Sequence, residues 1–268
     1  MARQSLKNVA RLIEQAKVEL PVEQSFVQDL KRSIEMTDAK NAREPSKTYK
    51  PSGMNCIRAS YYQVSGYPCK KESGGYNLIA ICETGTDRHE RIQAAVNAMK
   101  DNGIPCEYVN VANFVKNREL DYLDIVKQPD FENGEFETKL FHKTLNISFL
   151  CDGIVKYKDH YYIVEFKTEG SNKFFARQGV DPSHYNQATT YSLALGLPEV
   201  LFVYISRDTL DMKCYLYRPT DEAKHEIVAY IEKCDGYIKR KIAPPKPADV
   251  PKKTCAYCQY VEQCRKDK

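Results

Sequence analysis

"SFLCDGIVKYKDHYYIVEFKTEG", residues 148–170, decides the fold. Two runs of strand-forming residues flank Lys158-Asp159, which reads as a tight turn between antiparallel strands. Each run is interrupted by charge: Asp152 in the first, Glu165 and Lys167 in the second. With Tyr157 opposite His160, the same register carried back along the pair sets Asp152 opposite Glu165. Directly opposed residues have Cβ atoms about 4.5–5.5 Å apart on one face, where two like charges repel. A divalent cation between them removes the objection, because Mg²⁺ commonly takes one or two carboxylates, waters and substrate phosphates. Lys167, two residues after Glu165, projects from the same face. There it can orient a metal-bound water or stabilise charge on a phosphoryl group. The competing reading is two carboxylates at strand rims with a salt-bridging lysine. Lys-Asp is also not a favoured two-residue hairpin turn.

Around this hairpin the chain reads as helices at 4–18 and 22–38, a polar linker at 40–50, and a helix at 86–99. Residues 105–130 give no clear period. Strands follow at 134–142, 146–157 and 160–168, then a helix from Ser183 as N-cap to Gly196. Strands at 199–206 and 212–218 and a helix at 220–241, capped by Thr220, precede a Pro-rich connector, "APPKPADVPKKT". This order predicts an α/β fold with a mixed central sheet flanked by helices. No run of 18 apolar residues suggests a membrane span, and the N-terminal residues lack the apolar stretch of a secretion signal, so an intracellular protein is expected. The net charge of +4 permits nucleic-acid binding without requiring it. Basic residues gather toward the C-terminus, among them Lys239, Arg240, Lys241, Lys246, Lys252, Lys253, Arg265 and Lys266.

Three further patterns follow the same order. "GTDRHE" holds Gly85 and His89; "FETKL" places Glu137 before the hairpin; "NQATTYS" puts Gln187 and Tyr191 one helical turn apart. Together with Asp152 and Glu-x-Lys, they make the chain resemble the PD-(D/E)xK nuclease superfamily, in its RecB-like branch. The resemblance implies a restriction-endonuclease-like core over residues 51–268, with residues 1–50 as a helical N-terminal extension. It implies Mg²⁺ or Mn²⁺ held by His89, Asp152, Glu165 and the Phe166 carbonyl. Lys167, Gln187 and Tyr191 complete the catalytic set, and Glu137 stands outside it as a supporting acid at most. Cys151 stands where the motif name has proline.

"CAYCQYVEQC" crowds Cys255, Cys258 and Cys264 into ten residues, and "SGMNCIRASYY" supplies Cys56. One cysteine before the core and three after it resembles the iron–sulfur members of that branch, which include the AddB nuclease domain, CRISPR-associated RecB-like exonucleases and phage relatives. The resemblance implies a [4Fe–4S] cluster joining the N- and C-terminal parts through segment 244–268. Four thiolates also suit zinc, and spacing alone does not separate the two. Cys69 is the rival fourth ligand. Cys82, Cys106, Cys214 and Cys234 read as ordinary thiols.

The expected function is therefore a metal-dependent DNA nuclease, an exonuclease acting on DNA ends in recombination, repair, phage replication or CRISPR adaptation. A structure- or sequence-specific endonuclease is the alternative within the fold. A DNA-binding scaffold subunit of a recombination or adaptation complex is the alternative outside it, although an idle site has no need of opposed carboxylates. Tyr61, Tyr62, Tyr257 and Tyr260 either stack bases along a single-strand passage or pack around the cluster.

Overall fold

Lys158 and Asp159 turn the hairpin with φ of 48° and 66°. A type I′ turn demands positive φ at both central residues, so this corner forms against local preference. The flanking strands hold it. Strand β5 (Gly153–Tyr157) pairs antiparallel with β6 (His160–Glu169), with Tyr157 opposite His160 and Gly153 opposite Val164, which is the expected register.

The computed structural model describes residues 21–40, 46–69, 75–248, 250, 252–256 and 258–267. The expected helix at 4–18 and Tyr257 lie outside them. The chain divides into two units, residues 1–42 with 72–80 and residues 43–71 with 81–268. In the smaller unit, helix α1 (Val22–Lys40) has no buried residue, and Glu35 accepts the Tyr76 N–H at 2.7 Å.

The larger unit contains helix α2 (Ile57–Val64), helix α3 (Gly75–Asn97) from Ile81 onward, strand β1 (Cys106–Val109) and helix α4 (Val111–Asn117). Strands β2 (Leu123–Lys127), β3 (Thr138–His142) and β4 (Ile147–Cys151) follow and form a three-stranded antiparallel sheet. After the hairpin come α5 (Ser171–Ala176), α6 (Tyr185–Leu195), β7 (Val200–Ser206), β8 (Met212–Tyr217) and α7 (Asp221–Arg240). Helices α8 (Lys252–Ala256) and α9 (Val261–Lys266) end the described chain. The central five-stranded sheet has the order β1-β5-β6-β7-β8. It is mixed: β6 and β7 run parallel and the other neighbours antiparallel. A parallel neighbour needs a crossover, and α5 and α6 supply it.

Strand β6 shows how alternation places the layers. Ile163 enters the large core with α4, α6 and α7, whereas Val164 and Phe166 enter a second core with Ile92 of α3. Glu165 and Lys167 share the face of Ile163. Among the described residues no helix is long and apolar enough to cross a membrane.

Two expectations need correction, and the structure assigns one region that the sequence leaves open. Residues 146–157 are not one strand: β4 and β5 belong to different sheets and meet at Asp152. The apolar pattern continues across the junction because both strands are buried, so composition does not show the break. Ser183 does not cap α6; Asp181 accepts the Ser183 N–H at 3.0 Å and a 3-10 turn, Pro182–His184, precedes the helix. The region 105–130 holds β1, α4 and β2, each too short to show a period.

Candidate active site

Asp152 sits where the chain leaves one sheet and enters the other, so its backbone is not held by a ladder on both sides. Side chains hold it instead. Its carbonyl accepts the Gln93 amide at 3.0 Å and also the Tyr108 hydroxyl. Its carboxylate Oδ2 accepts the Phe166 N–H at 2.8 Å. Gly153 has to be glycine, because a Cβ there would overlap the Tyr108 ring and hydroxyl. Gln93 lies one helical turn after His89 on α3, and both are turned toward Asp152: the His89 ring nitrogen Nδ1 is 3.9 Å from Oδ2. Gly85 explains how α3 comes so close, since a Cβ at that position would meet the Thr168 hydroxyl at 3.3 Å.

His89, Glu137 and Asp152 present ligand atoms that all lie within 4.8 Å of one another. Among the described residues no other group of three acidic, histidine or cysteine side chains does so. Glu137, which the sequence ranks below the other site residues, therefore belongs to the constellation itself. It ends the loop just before β3, where a lone acid looks like a surface residue. His89 and Glu137 line a cleft of ≈ 460 Å³ together with Glu90, Gln93 and Leu150.

Glu165 is 3% exposed. Its Oε1 accepts Lys167 Nζ at 2.6 Å and the Gln187 amide at 2.6 Å. Lys167 Nζ also donates to Gln187 Oε1 at 3.1 Å. Gln187 donates on to the Tyr191 hydroxyl at 3.0 Å, and Tyr191 donates to the Leu150 carbonyl at 2.8 Å. Lys167, Gln187 and Tyr191 thus form one chain of hydrogen bonds that fixes the ammonium against Glu165. The other oxygen, Glu165 Oε2, is buried and has no hydrogen-bond partner among the described residues. An unpaired buried carboxylate oxygen costs several kcal/mol, so the arrangement fits a cation at that oxygen. Phe166 lies on the opposite face, fully buried, with its ring centroid 6.1 Å from that of His89.

The electrostatics agree with the geometry. Burial pushes the Glu165 carboxyl up to about 7, with Asp152 adding to the rise and Lys167 opposing it. Burial also pushes Asp152 up to about 7, with Glu137 adding and the Phe166 N–H and Lys167 opposing. Burial raises Glu137 too, helped by Glu165 and Glu90, and lowers His89, which favours its neutral imidazole form.

A pH dependence follows. The folded-state pKa values near 7 lie above the unfolded values of about 4, so unfolding releases protons. The metal-free chain then keeps this contribution in full below about pH 4 and loses it as pH rises toward 7. Its melting midpoint in EDTA is expected to be lower at pH 8 than at pH 5, and saturating Mg²⁺ is expected to remove that drop. Equal drops with and without Mg²⁺ would rule out a cation between these carboxylates.

Elsewhere in the larger unit, Cys56, Cys255, Cys258 and Cys264 line one cavity of ≈ 320 Å³, and Cys69 does not. Arg58, 4% exposed, donates to the carbonyls of Pro244, at 2.5 Å, and Asp267, so it ties the C-terminal segment to α2. Tyr61, Tyr62 and Tyr260 are 2%, 0% and 5% exposed and pack into the core, which leaves them no face for stacking bases.

No family model matches the chain, and no curated protein does. Among solved structures the chain is similar to SSO0001, with a TM-score of 0.48 and 14% identity over 91% of this chain and 99% of that one. LHK-Exo in complex with dAMP matches with a TM-score of 0.35 and 14% identity over 73% of this chain and 91% of that one. The alkaline exonuclease LHK-Exo from Laribacter hongkongensis matches with a TM-score of 0.34 and 14% identity, over 74% of this chain and 94% of its own.

Proposed function

We propose that this protein is a metal-dependent deoxyribonuclease of the PD-(D/E)xK type with a restriction-endonuclease-like core, acting as an exonuclease on DNA ends. The observation that carries the reading is the buried, unpartnered Glu165 Oε2 on the same sheet face as Lys167, beside the His89–Glu137–Asp152 group. Three carboxylates, Asp152, Glu137 and Glu165, and one imidazole converge here with one ammonium, an arrangement that needs added positive charge. Asp152, His89, Glu137 and Glu165 Oε2 are the groups that would hold Mg²⁺ or Mn²⁺, and the Phe166 carbonyl would add to them. Such an ion polarises a phosphoryl oxygen and lowers the pKa of attacking water.

The chain's own residues do the rest. Lys167, fixed by Glu165 and Gln187, places a positive charge where the phosphate's negative charge grows in the transition state. Gln187 and Tyr191 keep that lysine from swinging away, because both are buried, Gln187 donates to the Tyr191 hydroxyl, and Tyr191 donates to the Leu150 carbonyl. Gln93 and Tyr108 fix the main chain of Asp152.

The second part of the reading is a [4Fe–4S] cluster on Cys56, Cys255, Cys258 and Cys264. The four thiols line one cavity, yet no three sulfurs stand mutually within 4.8 Å. Tetrahedral zinc, with Zn–S bonds of about 2.3 Å, draws its sulfurs to roughly 3.8 Å from one another. What favours the cluster over zinc is the resemblance of the one-before, three-after cysteine layout to the iron–sulfur nucleases.

The test is purified protein with Mn²⁺ on end-labelled linear and covalently closed circular single-stranded DNA. The expected result is degradation of the linear form to short products under conditions that spare the circle. Comparable cutting of circles would replace the exonuclease by an endonuclease.

A further inference from the structure

A second cavity, of ≈ 500 Å³, is unused by the site described above. It lies at β1, the terminal strand of the central sheet, and is lined by residues of β1, α4 and the β5–β6 hairpin. Three kinds of group meet there. The Arg118 guanidinium lies over the Phe114 ring at 4.9 Å and the Tyr161 ring at 5.8 Å. Asn113 and Asn117 stand one helical turn apart on α4, and their carboxamides make no hydrogen bond among the described residues. Lys156 adds a second cation, already paired with Asp159 at 3.2 Å. The lining's one carboxylate, Glu107, is paired with Lys100 at 3.2 Å. Among the described lining residues, Arg118 is therefore the cation without a carboxylate partner.

Lys156 of β5 follows Asp152 by four residues, and Tyr161 precedes Glu165 by four on β6. At the strand rise that is about 13 Å from the carboxylates, or about four stacked nucleotide steps of 3.4 Å. The two cavities also share a wall. Tyr108 and Phe131 line this one and Phe136 lines the catalytic cleft, and the three ring centroids stand 5.4–5.5 Å apart.

We propose that this cavity is a base-stacking subsite for the nucleic-acid strand, engaging a nucleotide a few steps from the scissile phosphate. The reading rests on the nuclease function proposed above. A nucleobase offers a π face to Tyr161 and the Arg118 guanidinium, which the buried Phe114 backs from the core, and polar edges to the two carboxamides, and its phosphate meets a guanidinium without a carboxylate partner. Every base has a π face, so the subsite holds the strand with little regard for sequence. Substrates too short to reach it gain nothing from it.

The experiment compares the full-length protein with Arg118→Ala and Tyr161→Ala on two substrates in Mn²⁺: a labelled 12-nucleotide single strand, and thymidine 5′-(p-nitrophenyl phosphate). Either substitution is expected to lower kcat/KM on the oligonucleotide about tenfold, mainly through KM, and to leave the small substrate unchanged. Tyr161→Phe keeps the ring and is expected to keep activity, whereas Arg118→Lys keeps charge without the planar fork and is expected to lose most of the effect. Oligonucleotide activity within twofold of the parent in both alanine variants overturns the subsite, and so does an equal fall on both substrates. Anisotropy of the same strand in EDTA separates the two readings. A parent protein that neither binds nor cuts it removes the nuclease function and the subsite together; binding that neither variant weakens removes the subsite alone.

Discussion

Asp152→Asn and Glu165→Gln are each expected to cut the rate of phosphodiester hydrolysis by about 10³-fold or more, without unfolding the protein. Both carboxyls are buried and raised to about 7, so each is held at a cost in the metal-free chain. Neutral amides of the same shape remove that cost. Glutamine at 165 still offers an oxygen to Lys167 and Gln187, which now share the Glu165 Oε1 atom. The melting midpoint in EDTA should therefore stay level or rise while activity disappears, the pattern of a site that trades stability for function. Lys167→Ala should produce a comparable loss of rate, because no other ammonium among the described residues is bonded to Glu165. His89→Ala should be milder and partly rescued by higher Mn²⁺, since a neutral ligand contributes affinity rather than core charge. Full activity in Glu165→Gln would falsify the assignment.

The second large effect concerns the cysteines. Protein purified without oxygen is expected to be brown, with broad absorbance near ~400 nm from thiolate-to-iron charge transfer. Cys56→Ser, Cys255→Ser, Cys258→Ser or Cys264→Ser should each bleach it. A metal centre joining Cys56 to Cys255 closes a loop of about 200 residues, and on the chain-entropy picture that constraint is worth about 5 kcal/mol. Its loss should lower the melting midpoint by roughly 10–20 °C. Cys69→Ser should do neither, because Cys69 does not line the cavity. Colourless protein carrying one zinc would remove the iron reading and keep the four-thiol one.

The sequence shows the hairpin well and its surroundings poorly, for physical reasons. Two apolar runs of similar length fix a register even through an unfavourable Lys-Asp corner, because a one-residue slip would turn every core side chain to the wrong face. Gln187 and Tyr191 are visible as a pair because a helix repeats its face every turn. The sheet change at Asp152 is not visible, since both strands are buried and the apolar pattern continues through it. Gln93 and Tyr108 are not visible either. They act on the Asp152 carbonyl from elements 59 and 44 residues away. Sequence spacing says nothing about such a contact, although the turn from His89 to Gln93 puts both on one helical face and could have suggested it. Glu137 does not stand out in the sequence, because an acid at the end of a loop resembles any exposed one until the fold brings it beside His89 and Asp152.

The most direct test of the central claim is the single-turnover rate of cleavage of an end-labelled linear strand as Mn²⁺ is titrated from EDTA into the millimolar range, for the parent protein and Asp152→Asn. The parent should show no cleavage in EDTA and a rate that rises and saturates with Mn²⁺, while Asp152→Asn stays near the baseline throughout. Cleavage in EDTA, or titration curves that coincide for the two proteins, would contradict a metal-dependent site built on Asp152.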